Sequence, residues 1–121
     1  MGASNPSAGS LNPSVSLATV LNLTGATNLV WNALVDGDTT PDVSGGTFFK
    51  TANTGATLIT DFDGNTDAWI VVRADDANTT IVHDATKIKL SGGISIPMSA
   101  GDVLMFAEDS ATGVWYELPI R

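Results

Sequence analysis

Cysteine and glutamine are absent from the 121 residues, and the chain has only two Glu, three Lys and two Arg. Without Cys there is no disulfide, no thiolate nucleophile and no Cys-ligated zinc. Histidine is nearly absent as well: His83 stands alone, so a nucleophilic triad would have to be built on that one residue. Its setting, Thr79-Thr80-Ile81-Val82-His83-Asp84, reads instead as the end of a strand. No Gly-x-Ser-x-Gly elbow and no Gly-Lys-Ser or Gly-Lys-Thr phosphate loop occurs. The chain is therefore expected not to be an enzyme, and no catalytic, cofactor-binding or metal-binding residue is assigned. Five basic side chains against thirteen acidic ones give a net charge of −8, which argues against a nucleic-acid partner. Such a surface needs dense Lys and Arg to release counterions. Apolar runs are short of the roughly 18 residues that would suggest a spanning helix, so no membrane is expected. Residues 1–6, MGASNP, lack the basic and apolar regions of a signal peptide. Pro6 also stands where a myristoylation signal requires Ser or Thr.

What is present favours strands and turns. Fifteen Thr, ten Ser and twelve Gly accompany 43% apolar residues and only 15% charged ones. Thr is a strand former, and Asn, Asp and Gly are the residues that turns demand. The expected class is all-β: an antiparallel sandwich, a jelly-roll-like fold or a small barrel of 8–10 short strands.

Residues 1–14, MGASNPSAGSLNPS, stand apart from the rest. Asn-Pro-Ser occurs twice, and the residue before each Pro is biased to extended backbone. This segment is expected to be an extended N-terminal arm that orders on a partner surface, with residues 15–121 forming one β domain. Val15, Leu17, Leu21 and Leu23 share one face at period two, the mark of a strand. Further strands are expected at 28–34, 47–51, 57–62, 68–74, 79–83, 87–90, 94–96, 102–107 and 113–118. Each is bounded by turn residues such as Asn53-Thr54-Gly55, Asp75-Asp76-Ala77-Asn78 or Ser91-Gly92-Gly93.

Two strands break the alternation. Trp69-Ile70-Val71-Val72 and Val103-Leu104-Met105-Phe106-Ala107 are apolar at consecutive positions, so both their faces need cover. A second copy of the chain is the expected cover. Asp61, Asp63, Asn65 and Asp67 superficially match the first ligands of a calcium loop. Gly64 stands at the fourth position rather than the sixth, and Val72 replaces the closing Glu, so a turn is expected there. Asp36 and Asp38 form a weaker pair of the same kind. Phe62 and Trp69 are expected in the core. Trp31 and the pair Trp115-Tyr116 are left as candidates for a sugar-stacking platform.

The order of several short strings resembles a small β-rich domain of bacteriophage tail fibres, tailspikes and virion spikes. These are Thr40-Pro41-Asp42-Val43-Ser44-Gly45-Gly46, Phe49-Lys50-Thr51-Ala52-Asn53-Thr54 and Ile59-Thr60-Asp61-Phe62. They continue through Asp76-Ala77-Asn78-Thr79-Thr80-Ile81-Val82-His83, Leu90-Ser91-Gly92-Gly93, Gly101-Asp102-Val103-Leu104 and Trp115-Tyr116-Glu117. The resemblance covers residues 40–118. It implies a non-enzymatic, homotrimeric module of a virion appendage. The turn at Asn65-Thr66-Asp67-Ala68 departs from the pattern by lacking a Gly-Gln pair. About 40 residues precede the resembling stretch, so no shaft or β-helix is expected and depolymerase activity is not implied.

The expected function is a capsid-decorating (cement or head-fibre) protein on the virion surface. It would be a homotrimer held to the major capsid protein or another virion protein by residues 1–14. A tail-fibre tip or receptor-binding module is the first alternative. A carbohydrate-binding module recognising a host-surface glycan through Trp31 or Trp115 is the second.

Overall fold

A computed structural model describes residues 30–64 and 69–119. Its strands are β1 (Asn32–Ala33), β2 (Phe48–Lys50), β3 (Thr57–Ile59), β4 (Trp69–Arg73) and β5 (Thr79–Ile81). They are followed by β6 (Ile88–Lys89), β7 (Ile96–Pro97), β8 (Val103–Asp109) and β9 (Val114–Glu117). No helix occurs among the described residues, so the fold is all-β. Each strand lies within or no more than two residues beyond its expected span. The arm at 1–14 and the strand at 15–23 lie outside the described residues.

The pairing departs from the antiparallel expectation. One sheet runs β1-β2-β4-β8-β9-β6 and the other β3-β5-β7. β1 with β2, β2 with β4, β3 with β5 and β6 with β9 are all parallel. Among the described residues, β4 with β8, β8 with β9 and β5 with β7 are antiparallel. The reason is that the turns before β3 and β5 are corners and not hairpins. Each carries the chain from the larger sheet across to the smaller one, and the next segment brings it back. Parallel neighbours need such a crossover, and here a strand of the opposite sheet supplies it.

The result is a stack of coils. Phe48 lies opposite Val71, a spacing of 23 residues, and Thr57 opposite Thr79, a spacing of 22. Between them Asp42 bridges Asp63 in parallel, through Val43 N–H to Asp63 C=O and Asp63 N–H to Pro41 C=O, both 2.9 Å. Gly64 ends this bridge with φ +83°, and a Cβ there would run into the Asp42 carboxylate and Ser44. Only glycine satisfies both demands.

Between the sheets lies one core. Phe49, Ile70, Val72, Leu104, Phe106 and Trp115 enter from the larger sheet, Ile59 and Ile81 from the smaller. Phe62 is buried as expected, its ring 5.3 Å from Phe106 and 5.5 Å from Trp115.

Candidate functional site

Consecutive strand residues point to opposite faces, so the register identifies which side chains share the outer face of the larger sheet. Phe48, Val71 and Met105 form one cross-strand row, extended by Leu118, whose N–H donates to Met105 C=O at 2.9 Å. A second row holds Trp69, Ala107, Tyr116 and Lys89. A third holds Ala33, Lys50, Arg73 and Val103. Nine of these twelve side chains are apolar or aromatic, and Lys50, Arg73 and Lys89 are the other three. With about 4.8 Å between strands and 3.3 Å per residue, the central four strands make a patch of roughly 20 by 17 Å.

Part of this face packs on itself. Trp31 meets Phe48 edge to face at 5.2 Å, and Phe48 meets Trp69 at 6.4 Å. The Arg73 guanidinium lies 4.5 Å over the Trp31 ring while its fork holds Asp75 at 2.7 and 2.9 Å. That fork is the largest cause raising the Arg73 pKa and lowering that of Asp75. Val71 is buried and Met105, Ala107 and Leu118 are half-buried, so the open part centres on three residues. Trp69 is 47% exposed, Val103 42% and Tyr116 40%. Trp69 and Tyr116 stand on strands two apart, about 9–10 Å, with the small Ala107 as the floor between them. The expectation of Trp69 in the core is thus corrected: its neighbours Ile70 and Val72 face the core, and Trp69 faces out.

The other aromatic candidates separate. Trp115 is completely buried, and its Nε1–H donates to Phe62 C=O at 3.3 Å, so it is no sugar platform. Tyr116, one residue on, points the other way. Trp31 is half-buried beneath Arg73.

His83 sits where a strand end was expected. Its Nδ1 accepts the Leu90 N–H at 3.1 Å, and its own N–H donates to Ser95 Oγ at 2.9 Å. In the 61–67 segment, Asp61 Oδ1 accepts the Phe62 N–H at 2.9 Å, and Oδ2 is 3.8 Å from Lys87 Nζ. Asp63 is committed through its backbone to the coil bridge. Residues 65–68 lie outside the described residues. No group of three or more His, Asp or Glu converges on a metal position among the described residues.

A polar cluster that the sequence did not single out ties the coils together at their corners. Asp76 accepts from Thr51 Oγ1 at 2.6 Å, Asn53 N–H at 2.8 Å, Asn78 N–H at 2.7 Å and Thr79 Oγ1 at 2.9 Å. Burial pushes its pKa up, but these four donors outweigh it and the net direction is down. Buried Asn53 accepts from Gly37 N–H and donates to Thr79 Oγ1, both 2.8 Å. Asp36 in turn accepts from the Thr54 N–H and hydroxyl, both at 2.9 Å. An open depression of about 570 Å³ borders this corner, lined by Asp36, Gly37, Thr39, Thr54 and Thr57 among others. Its one carboxylate, Asp36, is already satisfied from within the chain, so the corner holds the fold together. The trace in the sequence is Asp or Asn three residues after β1, β2 and β4, at Asp36, Asn53 and Asp76.

Comparison with known proteins finds no match: no family profile, no curated protein and no solved structure is similar to this chain.

Proposed function

We propose that this protein is a non-enzymatic structural component of a bacteriophage virion, a homotrimer that decorates the capsid surface. The observation that carries the reading is the open apolar face of the larger sheet on a body that is otherwise acidic. A patch of this size falls within the roughly 300–600 Å² of the largest apolar patch on a typical monomer, which is often functional, and we take it as an interaction surface. The net charge of −8 keeps a dense outward-facing array of copies soluble. The finer architecture belongs to the same proposal: two sheets across a shared core form a compact sandwich, suited to standing as a knob on a particle.

Residues 1–14 are the anchor, docking on the major capsid protein or another virion protein. Ordering about 14 residues costs on the order of 15–20 kcal/mol of backbone entropy. One arm therefore binds weakly, and three arms on one trimer give durable attachment through effective concentration. The test is deletion of residues 2–14. The truncated protein should keep its size and melting temperature, and particles mixed with it should stay undecorated. A truncated protein that still coats the particle overturns the anchor.

A further inference from the structure

We infer that the outer face of the larger sheet, centred on Trp69, Val103 and Tyr116, binds a second copy of this chain head to tail. The inference rests on the homotrimer proposed above and names the surface that builds it. The occupant follows from charge. Of the four basic residues described, Lys50, Arg73 and Lys89 lie on this face. Arg73 is spent on Asp75, which leaves Lys50 and Lys89 as cations flanking the apolar rows on opposite sides. Asp109, at the end of β8 and accepting the Ala111 N–H, is an exposed carboxylate at the edge of this face, while Asp36, Asp42, Asp63, Asp84 and Asp102 lie in the connections between strands.

A two-fold dimer through this face would set the face of one copy against the identical face of the other. It would bring Lys50 and Lys89 toward their own kind. A head-to-tail contact sets them against the acidic connections of the neighbour, and such a heterologous contact closes into a ring when the rotation fits. Three copies is the smallest such ring. The same geometry accounts for the two-faced strands β4 and β8: Ile70, Val72, Leu104 and Phe106 serve the core, and Trp69, Val103 and half-buried Met105 serve the neighbour, while Val71 on the same side is already buried in the single copy.

The experiment is the mass of the full chain in solution by light scattering, for the wild type and three variants. The wild type should run at about three times 12.5 kDa. Trp69→Lys and, separately, Val103→Lys should run as monomers with an unchanged circular dichroism spectrum, because both positions are exposed in the single copy. Leu58→Lys, equally exposed at 55% but on the smaller sheet, should keep the wild-type mass. The wild-type assembly should also loosen as salt rises, whereas an interface held by apolar contact alone would not. Wild type and both face variants sharing the trimer mass overturns this surface while the homotrimer stands. A trimer that loses its mass equally with Leu58→Lys also overturns it. A wild-type monomer overturns the homotrimer and this surface together, including the case in which residues 15–29 of the same chain cover the face. Should Trp69→Lys fail to fold, Val103→Lys decides alone.

Discussion

Asp76 shows how much of this fold hangs on one carboxylate. Its two oxygens take four hydrogen bonds from two successive coils, and Thr51, Asn53 and Thr79 are buried around it. Asp76→Ala leaves those donors without an acceptor and should cost about 2–4 kcal/mol in urea unfolding, more than one ordinary hydrogen bond. The pH dependence follows from the direction of the shift. The folded pKa of Asp76 is lowered, as are those of Asp42, Asp75 and Asp84. A lowered carboxylate contributes stability that is fully present above the unfolded value, about 3.9, and is lost as pH falls through the folded value. The melting temperature should therefore be flat from pH 7 down to about 5 and fall below about 4. In Asp76→Asn the fall should be shallower from a lower starting point. An equally steep fall in that variant would show that Asp76 does not carry the acid sensitivity.

At the scale of elements, the short strands obey the period-two rule where one face meets water. In β3 the side chains of Thr57 and Ile59 are buried and Leu58 between them is 55% exposed. Ile59→Ala should cost about 2–4 kcal/mol, while Leu58→Ala should stay within about 0.5 kcal/mol, both read from urea midpoints. Equal costs would mean that Leu58 has a cover of its own. β4 departs from the rule with Ile70, Val71 and Val72 all buried, whereas burial alternates along β8 even though its residues are apolar at consecutive positions. The sequence showed those runs, but not which residue faces which side. Trp69 reads as core because Trp is usually buried. The register decides otherwise, since Trp69 pairs with Ala107 on the outer face and Ile70 with Phe106 on the inner one.

For the whole molecule, the connections that look like ligand loops are the joints of the coil. Asp61 holds Phe62 N–H and stands near Lys87, and Asp63 closes the parallel bridge to Asp42. Adding millimolar calcium, or a chelator, should move the melting temperature by less than about 5 °C. A larger rise with calcium would turn the 61–67 segment back into a metal loop.

The sequence by itself determined the all-β class, the places of the strands and the burial of Phe62. Thr, Asn, Asp and Gly leave no helix surface, and turn residues punctuate the apolar stretches at short intervals. It also determined that two strands are apolar at consecutive positions and so carry apolar residues on both faces. Only the tertiary structure decided that the strands wind as parallel coils, because alternation and turn chemistry are alike for a hairpin and for a corner. The direction in which Trp69, Trp115 and Tyr116 point was decided there too. A strand's period fixes which neighbours oppose each other, but only the packing of one sheet on another fixes which side is the inside.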